Sequence, residues 1–147
     1  MTTHRSIVLK RAYEEPSHSD GFRLLVDRLW PRGLKKEDAK LDGWLRDLAP
    51  SDVLRNWFHE HRAQWPEFRK RYLRELRSPE AAKALEQLYS YLAQQGRLTL
   101  VFASSDQEHN NAVVLKELIE GMRKPPAGTT TRAARAIRQR QSRRGKA

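Results

Sequence analysis

Two runs of consecutive apolar residues, each cut off by a polar turn, constrain this chain more than anything else in it. Leu24-Leu25-Val26 lacks the alternation of a half-exposed strand. It suits a strand covered on both faces, as in a parallel sheet flanked by helices. Arg97-Leu98-Thr99-Leu100-Val101-Phe102-Ala103 is the clearest strand in the chain. The first run passes into Asp27-Arg28-Leu29-Trp30-Pro31-Arg32-Gly33, where Pro31 and Gly33 stop extended structure. The second passes into Ser104-Ser105-Asp106-Gln107-Glu108-His109-Asn110-Asn111. Open α/β sheets bind ligands outside the carboxyl ends of their strands. The two turns, 26–33 and 104–111, are therefore where a site is expected.

The intervening pattern supplies the other elements. Ser6-Ile7-Val8-Leu9-Lys10 reads as a first strand, and Gly21 opens a second that carries Phe22 to Trp30. Leu34 to Ala39 allows one or two helical turns. Leu41, Trp44, Leu45 and Leu48 recur at offsets of three, four and seven, which predicts a helix ended by Ala49-Pro50. Ser51 is a good N-cap for a helix bearing Val53, Leu54, Trp57 and Phe58. Trp65-Pro66 starts a longer helix with Phe68, Tyr72, Leu73 and Leu76 inward. Ser78-Pro79 starts another, which Gly96 ends. A last helix carries Ala112, Val113, Leu115, Leu118, Ile119 and Met122, with Ser105 or Asp106 expected as its N-cap. Strand, strand, helices, strand, helix is the order of an α/β domain: a three-layer sandwich with a small parallel or mixed sheet flanked by helices, in a single domain.

Charge divides the chain in two. Residues 1–122 hold 20 Lys and Arg against 18 Asp and Glu, a net of +2. Residues 123–147 hold nine basic residues and no acid. The pI of about 10.4 thus belongs mainly to the C-terminal segment. A domain over 1–123 is expected, followed over 124–147 by a basic tail, poor in apolar residues and expected to be disordered. The absence of cysteine excludes disulfides, thiolate chemistry and Cys-ligated zinc. No apolar run approaches a membrane span, and Met1-Thr2-Thr3-His4-Arg5 leads into a strand rather than a signal core. No membrane association and a cytoplasmic location are the expectations.

Several residues in the two turns carry candidate chemistry. Arg28 and Arg32 are forks that match a phosphate or carboxylate. Their structural alternative is pairing with Asp27, Asp42 or Asp47. Trp30 is either a stacking surface for a base or sugar or part of the core. Ser105, Asn110 and the free amides over 105–109 make an anion site if the last helix begins there. His109 is a candidate general acid or base, and Asp27 its candidate partner. Against that stand ordinary capping, a buried structural histidine, and Asp27 paired with an arginine. His59-Glu60-His61 contains a His-x-His pattern without a third ligand at a telling spacing, so no metal is predicted. Neither a Gly-rich phosphate loop nor a Gly-x-Ser-x-Gly elbow is present. No cofactor is predicted.

The run Leu25-Val26-Asp27-Arg28-Leu29-Trp30-Pro31-Arg32-Gly33 resembles the hallmark of the DUF488 family, in its YeaO-like branch. Trp44-Leu45-Arg46-Asp47-Leu48-Ala49-Pro50-Ser51, Leu54-Arg55-Asn56-Trp57-Phe58 with His59, and Glu108-His109-Asn110-Asn111-Ala112-Val113-Val114-Leu115 are similar to that branch as well. The resemblance covers roughly residues 6–122 in matching order and leaves the basic tail outside it. It implies a compact α/β domain and no established activity. Some relatives carry a transcription-regulator label, yet the order of elements here includes no winged helix.

Three functional readings follow. The first is a domain that binds a small anionic or nucleotide-like ligand at the strand-end turns, with or without catalysis. The second is a nucleic-acid-associated protein, a regulator among the candidates, whose basic tail over 124–147 supplies sequence-independent affinity. The third is a protein-partner module without chemistry that uses exposed Trp44 or Trp57. Oligomeric state, substrate and reaction stay open at this level.

Overall fold

A computed structural model describes residues 6–121, so the basic tail and its expected disorder lie outside the described residues. The elements are β1 (Ser6–Arg11), β2 (Phe22–Leu25), α1 (Lys36–Ala39), β3 (Gly43–Trp44), α2 (Asp52–Glu60), α3 (Trp65–Glu75), α4 (Pro79–Gln95), β4 (Arg97–Phe102) and α5 (Asn111–Glu120). Short 3-10 turns at His18–Asp20 and Arg46–Leu48 join them. The four strands form one sheet in the order β1-β4-β2-β3, with every pair parallel. The last strand in sequence thus lies in the middle, which is why its run over 98–102 is apolar or fully buried throughout.

The register sorts the side chains. Ile7, Leu98 and Leu100 share one face with Leu24, Val26 and Phe102, and that face packs on residues of α2, α3, α4 and α5. On the other face Ala12, Leu25 and Val101 are covered by Trp30, Leu34, Leu41 and Trp44, from the segment that contains α1. The sheet is therefore sandwiched between a helical layer and a thinner layer of loop and short helix.

That second face also holds a buried ion cluster. Asp20 and Arg23, each about 5% exposed or less, pair at 2.6 Å, and Lys10 reaches the same carboxylate at 3.1 Å. Arg23 also donates to the carbonyls of Ala39 and Lys40, tying the 36–40 segment to β2. Thr99 closes the cluster by donating to the Asp20 carbonyl at 2.6 Å. Gly21, between the cluster and β2, has φ +68°, and a Cβ there would lie 2.6 Å from the Arg97 carbonyl oxygen. Only glycine meets both demands.

Three expectations are corrected. The helix expected from the Leu41–Leu48 stripe is instead β3 and a 3-10 turn. Gly43 and Trp44 are drawn into pairing with Leu24 and Leu25, and Leu45 and Leu48 are buried from the turn that follows. The second strand stops at Leu25, although the Val26 amide still donates to the Val101 carbonyl at 3.1 Å. The last helix takes Asn110 as its N-cap, not Ser105 or Asp106: the Asn110 side-chain oxygen accepts the Val113 amide.

Candidate functional site at the strand ends

Parallel strands place all their carboxyl ends on one edge, and the order β1-β4-β2 sets the 103–111 turn directly beside the 26–33 turn. Asp27 is the bolt between them. Its Oδ2 accepts the Ala103 amide at 2.8 Å, and its Oδ1 accepts the Asn111 side-chain amide at 3.2 Å. The same Asn111 nitrogen donates to the Val26 carbonyl at 2.8 Å. Trp44 holds the Asp27 backbone by donating its ring N–H to the carbonyl at 2.6 Å. Burial pushes the Asp27 carboxyl above its ordinary range, outweighing the two hydrogen bonds and the Arg55 charge. Beneath this junction the fully buried Tyr72 donates its hydroxyl to the Leu48 carbonyl. Burial, with the charges of Asp27 and Glu75 nearby, holds that hydroxyl well above the usual phenol range.

The expected arginine partner of Asp27 is thus replaced by a backbone amide and an asparagine. Arg28 turns away from the junction and donates to the carbonyls of Pro50 and Ala49, each at 3.2 Å. It borders a groove of about 430 Å³ whose walls include Asp47, Glu75 and Glu80. Trp30 is a prop: its ring N–H donates to the Leu34 carbonyl, and it meets Trp44 edge-on. Arg32 is exposed, and its guanidinium makes no hydrogen bond to the described residues. Only its backbone is fixed, through the Tyr13 hydroxyl at 2.7 Å.

On the other turn, Asp106 already occupies the amides that looked free. Its Oδ1 accepts the Glu108 and His109 amides, each at 3.0 Å, and Arg62 and His109 reach its Oδ2. Burial works against the Asp106 charge, but those bonds together hold its carboxyl below the ordinary range. His109 is 44% exposed rather than a buried tie, with Nδ1 at 3.3 Å from Asp106 and its ring against Trp65. No hydrogen bond joins it to Asp27 among the described residues. Asn110 is buried, and both ends of its amide are used, one on the Asp106 carbonyl and one as the helix cap. Ser105 is exposed.

The sequence reading missed Arg11 and Tyr13. Arg11 donates to the carbonyls of Ala103 and Ser104 and lies 4.9 Å over the Tyr13 ring, and Tyr13 in turn holds Arg32. The only signal was an arginine at a strand's end. Trp44 and Trp57, offered as exposed partner contacts, are neither free nor fully exposed. Trp44 is held as described, with Arg46 over its ring, and Trp57 has Arg71 at 4.1 Å and His61 stacked on it. His61 also uses Nδ1 on the Trp57 carbonyl, and among the described residues no three metal-ligating side chains gather.

Residues 6–134 match the family model described as the inactive DUF488-N3 subclade. The chain belongs to the DUF488 family. It is 39% identical over 118 residues to the Escherichia coli (strain K12) protein named "Uncharacterized protein YeaO", across 80% of this chain and 99% of that protein. Uncharacterized proteins of Mycobacterium bovis and Mycobacterium tuberculosis are each 35% identical over 121 residues, 82% of this chain and 99% of their own length. No solved structure matches it. The DUF488 match spans both strand-end turns, so the Asp27–Asn111 junction lies inside the family's segment.

Proposed function

We propose that this DUF488 domain binds a small anionic or nucleotide-like ligand outside the β2 and β4 strand ends and does not turn it over. The observation that carries the reading is the hydrogen-bonded junction of the two turns at the carboxyl edge of a parallel sheet. Arg32 supplies the free fork, and Ser105 and the outer His109 nitrogen supply polar contacts. Arg28, Trp30 and Asn110 shape the walls, because their polar atoms already serve the fold. The anion is assigned to Arg32 and not to Arg28 because the Arg28 guanidinium is already bonded to backbone carbonyls, whereas that of Arg32 is exposed.

Binding without catalysis accounts for more of the geometry than an acid–base pair does. The Asp27 oxygens are engaged by Ala103 and Asn111, and His109 is engaged by Asp106. The subclade's description as inactive agrees with that. A second reading, polyanion binding by the tail, rests on the nine basic residues and no acid of 123–147.

The test is thermal unfolding of the full chain with nucleotides and sugar phosphates at fixed moderate salt. A ligand at a hundred times its Kd stabilises by about 2.7 kcal/mol. Arg32→Ala should lose that shift while keeping the ligand-free Tm, and the ligand should be recovered unchanged. A Tm shift that survives Arg32→Ala, or no shift with any anion, overturns the reading.

A further inference from the structure

The groove beside Arg28 holds charge that neither the fold nor the strand-end site uses. Its walls carry Asp47 from the 3-10 turn at Arg46–Leu48, Glu75 from the end of α3 and Glu80 from the first turn of α4, together with Ser51 and Ser78. Glu75 is held by the Ser51 amide and hydroxyl. Asp47 and Glu80 are exposed, and neither forms an ion pair or a side-chain hydrogen bond with the described residues. Arg28 is the cation on the same wall, but its guanidinium is committed to the carbonyls of Ala49 and Pro50. Three carboxylates against one guanidinium leave the groove negative.

We infer that the basic segment over 123–147 docks in this groove of its own chain, with arginine forks on the Asp47 and Glu80 carboxylates. The segment holds nine basic residues and no acid, so nothing in it repels the groove. A guanidinium matches a carboxylate bidentately. The place where the segment begins supports the same pairing. The Arg69–Glu117 pair at 3.1 Å ties α5 to α3. Glu75 lies six residues farther along α3, about 9 Å at 1.5 Å per residue. The described residues end at Gly121, one turn past Glu117. Arg132 follows eleven residues later, a length that spans up to about 36 Å when extended, so the tether reaches the groove with slack. A second groove of about 430 Å³ also carries carboxylates, those of Glu14, Glu15 and Asp38. That groove belongs to the other layer, with Ala12 and Leu34, whereas α5 packs in the helical layer with α3 and α4. Exposed ion pairs are individually weak and are screened by salt. Tethering raises the effective concentration to the order of millimolar, which favours the chain's own segment over an unlinked basic molecule.

The experiment measures, by mass spectrometry, how fast trypsin cleaves the full chain within residues 132–144. An isotope-labelled free peptide of residues 123–147 in the same tube is the reference. At low salt the segment in the full chain should be cleaved several-fold more slowly than the peptide, and the two rates should converge at high salt. Asp47→Asn/Glu80→Gln should remove most of that protection. Glu15→Gln/Asp38→Asn takes the same charge from the other groove and should keep it. All four positions are exposed, and an unchanged Tm verifies that each variant is folded. The inference is overturned if the chain shows no protection at low salt, if Asp47→Asn/Glu80→Gln keeps it, or if both variants lose it equally. Protection that rises with protein concentration also overturns it, because a second copy would then be the source. No ligand is present in this assay, so this inference and the Arg32 reading fail separately.

Discussion

Asp27 shows how a single carboxylate can serve as a structural part at a place where chemistry is expected. Its raised pKa comes from burial and not from a like charge, and both its oxygens hold donors that bridge β2 to β4 and α5. An acid whose folded pKa lies above its unfolded value binds protons more tightly in the native state. Its favourable contribution is therefore complete below the unfolded pKa of about 3.9 and declines as pH rises through the folded value. Asp27→Asn removes that dependence. The unfolding free energy of the wild type minus that of the variant should fall as pH is raised from 4. A difference that stays flat from pH 4 to 8, measured by urea titration, would rule out a protonation role for Asp27. Asn111→Ala is the complementary change. It takes away the amide that serves both Asp27 and the Val26 carbonyl, and should cost about 1–3 kcal/mol through the acceptors left unsatisfied.

At the scale of elements, what could be read in advance was whatever depended on neighbours in sequence. Ser51 and Ser78 cap α2 and α4 as expected, since each accepts an amide three residues on, and Gly96 ends α4 in a left-handed conformation. The 97–102 strand was legible from its largely apolar, β-branched and aromatic run, which only Thr99 interrupts after Arg97. β3 was not, because a two-residue strand has no period of its own and Leu41, Trp44, Leu45 and Leu48 happen to satisfy a helical one. Its pairing with β2 is decided by tertiary contacts. The start of α5 was misplaced for a related reason. Asp106 makes a local turn with Glu108 and His109 that imitates a cap, and the helix begins only at Asn110. Asn110→Ala should therefore lower stability by about 1 kcal/mol. Asp106→Ala should disturb the 106–109 turn and the Arg62 contact while leaving the Asn110 cap in place. An Asn110→Ala variant as stable as the wild type in chemical denaturation would show that Asn110 does not cap the helix.

For the molecule as a whole, the candidate site could be located by the strand-end rule, but its contacts could not be. Whether the two turns meet depends on β4 entering between β1 and β2, and the sequence holds no local mark of that order. The same insertion buries the Asp20–Arg23–Lys10 cluster, whose members lie on β1, on β2 and in the turn between them, with Thr99 of β4 closing it. This cluster should make the domain lose stability in acid. Burial alone would raise the Asp20 carboxyl, but hydrogen bonds from Ser17, Lys10 and Arg23 outweigh it and hold the group below its ordinary range. A depressed folded pKa contributes stability above the unfolded value of about 3.9, and that contribution is lost as pH falls through the folded value. Asp20→Asn keeps the shape and removes the charge, leaving Arg23 buried with only carbonyl acceptors. Breaking a buried pair in this way costs about 3–5 kcal/mol. The variant should be destabilised by that order at pH 7, and its deficit should shrink as pH is lowered below 4, because the wild type is losing the same charge. A deficit that stays constant down to pH 2, by urea titration at each pH, would mean that packing around Arg23, and not the ion pair, holds this face of the sheet together.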